Sequence, residues 1–236
     1  MNYHNYIFYD FETGGKKCHE SQPIQLAAVA IDGRKLTMHK HGTFDTLIQP
    51  VFDEKECQAL GIEPLQDDAL TINRKTREQL KDAPSPKEAW ENFDTFVQRY
   101  SIRKGGAWDR PIPVGFNSNN FDETFVRRLC KEHGPYDEEY QSQKIFHPIH
   151  KQDLMAILFQ WTEDLKGFQK LNMDTIRKVF GMTENSKHLK PFKKDGKELY
   201  THDALRDVLD GGELFCRFMK MTRRHAHKTK FEGSCK

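Results

Sequence analysis

Disulfide chemistry is the first thing this chain lacks. Its five cysteines, Cys18, Cys57, Cys130, Cys216 and Cys235, include no CxxC pair and no framework spacing, which excludes a disulfide-stapled scaffold and a cysteine-bound structural zinc. Long apolar runs are missing too: no stretch approaches the ~20 residues of a membrane-spanning helix. The start, Met1-Asn2-Tyr3-His4-Asn5, has neither the basic region nor the apolar core of a signal peptide. A soluble, cytoplasmic protein with no membrane partner is the expectation. Strong charge of one sign is also absent, since 37 basic against 35 acidic residues leave a net charge of +2. Any hold on nucleic acid must therefore come from local patches, not from a global field. There are no internal repeats, and the 236 residues suit one well-buried α/β core.

What is present is a set of acids in ordered settings. Tyr6-Ile7-Phe8-Tyr9-Asp10-Phe11-Glu12 is rich in β-branched and aromatic residues and stops at Thr13-Gly14-Gly15, the pattern of a strand entering a turn. Side chains alternate along a strand, so Asp10 and Glu12 share a face, about 7 Å apart. Apolar neighbours on both faces imply a strand covered on both sides. Two carboxylates in such a place repel and resist desolvation unless a cation sits between them, and hard oxygen ligands suit Mg²⁺ or Mn²⁺. Alone, the pair fits a solvated strand end equally well.

Two further stretches carry acids. Pro113 to Phe116 reads as a short strand running into an Asn/Ser turn, and Phe121, Phe125, Val126 and Leu129 then follow helical spacing. Asp122 falls in that helix's first turn, where the dipole favours an acid whatever its function. In Tyr200-Thr201-His202-Asp203-Ala204-Leu205-Arg206-Asp207, apolar positions from Leu205 through Met219 mark one face of a long helix. Asp207 then lies near its start and His202 in the entry loop. The two can act together only if His202 stays off the helix.

In combination these stretches resemble the DnaQ-like 3′–5′ exonucleases. Asp10-Phe11-Glu12-Thr13-Gly14-Gly15 through Pro23-Ile24-Gln25-Leu26-Ala27-Ala28-Val29 is similar to their first motif, Gly115-Phe116-Asn117 with Phe121-Asp122 to the second, and His202-Asp203-Ala204-Leu205-Arg206-Asp207 to the third. The histidine five positions before the last aspartate matches the DEDDh branch. Smaller echoes lie at Gln152-Asp153-Leu154-Met155 and from Lys170-Leu171 to Phe180-Gly181. Each motif is weak alone and specific in conjunction.

The resemblance implies an α/β, RNase H-like fold, a mixed five-stranded sheet flanked by helices, with residues 1–222 as the exonuclease domain; the basic residues of 223–236 read as a flexible C-terminal tail. It implies hydrolysis at the 3′ end of a polynucleotide with two Mg²⁺ ions, for which Mn²⁺ would substitute. Asp10, Glu12 and Asp207 would hold the ion that activates water, Asp10 would bridge to the second, and Asp122 would orient that second ion. His202 would be the general base, a role imidazole suits near neutral pH. Thr13 and Gly14 would receive the terminal nucleotide through backbone amides, with the missing Cβ of Gly14 permitting close approach; Phe116 and Asn117 would line the same cleft. Lys193 and Lys194, in the basic run before His202, are candidate contacts to the substrate strand. The motifs leave a polymerase partner open and do not indicate one. The substrate expected is the 3′ end of single-stranded DNA, because the long region between the first two motifs resembles DNA exonucleases more than compact oligoribonucleases. RNA 3′-end trimming competes within the family, and an inactive nucleic-acid-binding module competes outside it. Metal-dependent release of mononucleotides separates the module from the enzymes.

Elsewhere the patterns predict strands over 5–12, 24–32, 42–49 and 112–116. Helices are expected near 120–133, 152–161, 169–180 and 203–221. Ser85-Pro86-Lys87-Glu88 reads as a capping box opening a helix whose apolar stripe runs from Ala89 and Trp90 to Tyr100. Gly211-Gly212 inside the last helix costs roughly 1 kcal/mol per glycine, which points to a close crossing or an early helix end.

Overall fold

The computed structural model describes residues 3–103, 106–163, 171–179, 192–194, 197–199 and 202–229. Strands β1 (Tyr6–Thr13), β2 (Pro23–Asp32) and β3 (Thr37–Leu47) come first, followed by three short helices, α1 (Glu54–Leu60), α2 (Asp67–Ile72) and α3 (Arg77–Lys81), and then α4 (Pro86–Gln98). β4 (Ile112–Gly115) leads into α5 (Asp122–His133), and a hairpin of β5 (Tyr136–Asp137) and β6 (Ser142–Gln143) precedes β7 (Gln152–Asp153) and α6 (Leu154–Thr162). α7 (Met173–Val179), a second hairpin of β8 (Phe192–Lys194) and β9 (Lys197–Leu199), and α8 (Ala204–Thr229) complete the described elements.

The main sheet has the order β3-β2-β1-β4-β7. β1 pairs antiparallel with β2 and β2 with β3, while β1–β4 and β4–β7 are parallel. This is the mixed five-stranded sheet the motifs imply. β2 is buried from Pro23 to Ile31, as its near-continuous apolar run requires of a strand covered on both faces.

The alternation of β1 sorts the core. Ile7, Tyr9 and Phe11 pack with Trp90, Phe93, Phe125 and Val126 of α4 and α5. Tyr6 and Phe8 pack on the opposite side with Val208, Leu209 and Phe215 of α8. Each fully buried Phe or Leu in these layers contributes about 1.5–3 kcal/mol of transfer free energy. α8 lies close against the sheet because Gly211 and Gly212 present no side chains. A Cβ on Gly211 would fall 2.3 Å from the Phe8 ring, and one on Gly212 would fall 2.8 Å from Val29. The glycine pair therefore marks a close helix-on-sheet crossing and not a helix end.

Some bounds differ from expectation. β3 begins at Thr37, because the Asp32–Leu36 turn closes on an Asp32 carboxylate that accepts the Arg34 and Lys35 amides at 2.9 and 2.7 Å. α8 continues to Thr229, past 221 and through the first seven residues of the segment expected to be a flexible tail, since nothing after Gly212 breaks it. α4 starts where expected, with Ser85 accepting the Glu88 amide at 3.2 Å and Pro86 in the first turn. Among the described residues no helix is long and apolar enough to cross a membrane.

Candidate metal centre and active site

β1 and α8 build the site between them. Asp10 and Glu12 have the parity of Tyr6 and Phe8, so they extend the α8-facing row toward the end of β1. Gly211 touches Phe8. One helical turn back along α8, about 5.4 Å, stands Asp207, and two residues on along β1 stands Asp10. The glycine crossing thus sets a carboxylate from the helix over the carboxylates of the strand. One ligand oxygen each from Asp10, Glu12 and Asp207 lies within 4.8 Å of the others.

The electrostatics of the cluster call for a cation. Burial, then repulsion from Asp122, Glu12 and Asp207, pushes the Asp10 carboxyl well above its usual range. Burial and Asp207 push Glu12 up to about 8, against the opposing charge of Lys75. Asp207 is raised by burial and lowered again by Arg177 and His202. Three crowded carboxylates that resist ionising are stabilised by a divalent ion, and an all-oxygen donor set suits Mg²⁺ or Mn²⁺. The donor set therefore fits the divalent metal.

Asp122 is the first residue of α5 and is 3 % exposed. β4 ends at Gly115, paired with β1 only as far as Phe8, so the Phe11 amide is open on that side, and the Asp122 carboxylate accepts it at 3.1 Å. Burial pushes this carboxyl up to about 7 despite that bond. Asp122 faces Asp10 but stands outside the three-acid cluster. His202 is exposed and adopts a left-handed φ of 63°, which keeps it off α8 as a joint role with Asp207 requires.

The other expected residues divide. Thr13 is buried; its hydroxyl donates to the Gly15 carbonyl at 2.6 Å and its carbonyl accepts Asn73 Nδ2 at 2.9 Å. Gly14 does not offer the open amide and free space expected for a terminal nucleotide: its amide donates to the Gln22 carbonyl at 2.8 Å, and the room a Cβ would take is filled by Leu65, 2.4 Å away. The glycine admits Leu65, and its amide is already engaged. Phe116 packs at the margin of the α8-side core. Asn117 has a left-handed φ of 60°, and its amide donates to Asp153 at 3.0 Å. Lys193 and Lys194 belong to β8, whose backbone pairs with β9 in a hairpin; Lys187 and Lys190 of the same basic run lie outside the described residues.

Three participants have no place in the motif reading. Arg177 of α7 donates to Asp207 Oδ1 at 2.8 Å and pairs with Asp210 at 2.9 Å, while Arg206 holds the same Asp210 oxygen. Asp153 gathers the amides of Asn117, Asn119, Met155 and Ala156, tying the turn after β4 to the start of α6. Lys75, from the α2–α3 connection, pairs with Asp203 at 2.9 Å. Asp153 and Arg177 fall within the small echoes at 152–155 and 170–181, and Lys75 had no signal.

A mixed sheet whose central strand and last helix converge three carboxylates is the arrangement of an RNase H-like, DEDDh-type nuclease. The RNase T exonuclease family model matches residues 7–215, and the chain belongs to this family of exonucleases. No curated protein matches it significantly. Among solved structures it is similar to E. coli exonuclease I bound to a dT13 oligonucleotide, with a TM-score of 0.65 and 16 % identity over 95 % of this chain and 43 % of that one. A zinc-bound form of the E. coli exonuclease I–single-stranded DNA complex gives a TM-score of 0.64 and 16 % identity, covering 94 % and 42 %. Cell-death related nuclease 4 gives 0.61 and 13 %, covering 93 % and 65 %. The chain spans about two fifths of the length of the exonuclease I structures it matches.

Proposed function

We propose that this nuclease is a 3′–5′ exonuclease that removes nucleoside 5′-monophosphates from single-stranded DNA, using Mg²⁺ bound by Asp10, Glu12 and Asp207, with Asp122 orienting a second ion. The observation that carries the reading is the meeting of those three carboxylates within 4.8 Å, beside the off-helix His202. The oligonucleotide in the E. coli exonuclease I structure supports a single-stranded DNA substrate, and the zinc-bound form supports a divalent ion. Bound divalent ions would supply Lewis acidity, lowering the pKa of water and neutralising charge on the scissile phosphate.

The chain's own groups do the rest. A ring nitrogen of His202 takes a proton from the attacking water. The new P–O bond forms as the bond from phosphorus to the O3′ of the preceding nucleotide breaks, the departing oxygen taking a proton from solvent, which leaves a 5′-monophosphate and a shortened strand with a new 3′ hydroxyl. Asp122, fixed by the Phe11 amide, holds its place at the strand end. Arg177 donates to Asp207 Oδ1 and so holds the orientation of that carboxylate. Residues 1–222 form the catalytic domain in this reading, with the basic 223–236 segment auxiliary.

Side-by-side digestion of 3′-labelled single-stranded DNA, duplex DNA and RNA with Mg²⁺ or Mn²⁺ tests the reading. Mononucleotides released first from single-stranded DNA, and abolished by chelator, are the expected result. Preference for RNA would reassign the substrate, and metal-independent or internal cleavage would overturn the mechanism.

A further inference from the structure

We propose that Lys75 is a positioning residue which, through its ion pair with Asp203, fixes the turn that presents His202 to the carboxylate cluster; the inference rests on the exonuclease reading above. His202 is exposed and left-handed at φ 63°, so its placement comes from its neighbours and not from packing of its own ring. The neighbour that ties the turn down is Asp203. Its carbonyl accepts the Asp207 amide at 3.0 Å, the first bond of α8, and its Oδ1 accepts the Leu205 amide at 3.1 Å. Its other oxygen, Oδ2, accepts Lys75 Nζ at 2.9 Å, with the two side chains only 10 % and 19 % exposed. Gln25 of β2 adds a weaker strap, with Nε2 3.5 Å from Asp203 Oδ1 and Oε1 accepting the Ala204 amide at 3.4 Å.

The ammonium is delivered from a firm base. Lys75 donates its own amide to the Leu70 carbonyl at 3.0 Å. The next residue, Thr76, caps α3 in a reciprocal box with Gln79, and Leu70 and Leu80 are buried with Ile24 and Leu65. An open groove of about 780 Å³ lies alongside, lined in part by Lys75, Gln79, Asp45, His202 and Asp203. The turn therefore has room to relax on that side once the latch is gone. A partly buried ion pair is weak evidence of a stabilising device but well suited to fixing one geometry. A misplacement near 1 Å of a group acting on the reacting atoms is enough to cost about 100-fold in rate.

The test is a double-mutant cycle between Lys75→Met and His202→Ala, with Asp203→Asn as a second variant that keeps an oxygen for the Leu205 amide. Lys75→Met is expected to lower kcat by about 10- to 100-fold in the wild-type background and by less than about twofold once His202 is absent, because the latch then has nothing to place. Asp203→Asn should follow the same pattern, and Lys75→Arg should recover most of the lost turnover. The Lys75 charge opposes that of a cation at Glu12, so half-saturation by Mg²⁺ should stay the same or tighten in Lys75→Met. Equal losses in both backgrounds, a loss confined to KM, or weakened metal binding would overturn the proposal. A wild-type protein with no nuclease activity would instead remove the exonuclease reading on which the latch depends, while a His202→Ala variant as fast as wild type would leave that reading standing and overturn the latch, which would then have no base to place.

Discussion

At the scale of single residues, Asp10 is the carboxylate most crowded by others, with Asp122, Glu12 and Asp207 all raising its pKa after burial has done so. Asp10→Asn should reduce nuclease turnover to background while leaving the metal-free protein as stable or more so near neutral pH, because a neutral amide replaces a carboxyl that burial and its acidic neighbours hold back from ionising. A 3′-label release assay and thermal melts in chelator check the two halves, and wild-type turnover would remove Asp10 from the metal set. Asp207 is a less clean probe, since its replacement also deprives Arg177, only 6 % exposed, of a carboxylate partner. His202→Ala should lower turnover by about 10²–10⁴-fold, the scale of a lost general base, with metal half-saturation nearly unchanged; near-full turnover across the neutral range would assign the proton to another group. The five motif residues were legible because each sits beside local punctuation: a strand end, an Asn/Ser turn, a helix entry. Arg177 and Lys75 were not. Their partners lie 30 and 128 positions away, and although Arg177 falls within the 170–181 echo, no local pattern marks either residue as the partner of a distant acid.

At the scale of elements, the site depends on how closely α8 crosses β1. Gly211→Val would drive a side chain into the Phe8 ring, already 2.3 Å from where a Cβ would stand. The cost in stability should be about 1–3 kcal/mol or more, as for an overpacked core, and turnover should fall disproportionately because Asp207 is one turn away. Ser85→Ala is the control: it should cost about 1 kcal/mol through the lost cap of α4 and leave turnover unchanged. If both variants lost activity in proportion to stability, the crossing would not be what sets the carboxylates. The β8–β9 hairpin carries the second element-scale prediction. Replacing Lys193 and Lys194 with glutamine should weaken single-strand binding and flatten the slope of log affinity against log salt by roughly one unit, at about 0.7 per phosphate contact, with turnover at saturation near wild type. An unchanged slope would make the hairpin ordinary solvated surface. The strands and the longer helices were readable because alternation and 3.6-residue spacing repeat often enough within them. α1, α2 and α3 were not, since helices of 7, 6 and 5 residues complete too few turns to show a period. α1 and α3 are held by the side-chain caps Asp53 and Thr76, and α2 and α3 by Leu70 and Leu80 packing under Ile24, a non-local fact.

At the scale of the whole molecule, the cluster makes stability depend on pH and metal together. In the metal-free fold Glu12 titrates at about 8 against 4.5 ordinarily, and Asp122 at about 7 against 3.8. Folded values above unfolded ones mean that the native state binds more protons than the unfolded chain throughout that window. The contribution of these groups is therefore most favourable below about pH 4, falls as pH rises, and levels off above about pH 8. A bound divalent ion reverses the situation, since it stabilises the ionised carboxylates and binds the native state alone. Thermal melts at about pH 5.5 and about pH 8 span most of this interval. In chelator the wild type should lose more Tm between the two than Glu12→Gln, whose amide does not titrate. Added Mg²⁺ or Mn²⁺ should raise the wild-type Tm more at the higher pH, where the ligands no longer need to surrender protons, and should do little for Glu12→Gln at either. Equal pH dependence in the two proteins would mean that the Glu12 carboxyl is not held protonated by its surroundings. A metal shift that ignored pH would mean that the ions bind somewhere other than the buried carboxylates.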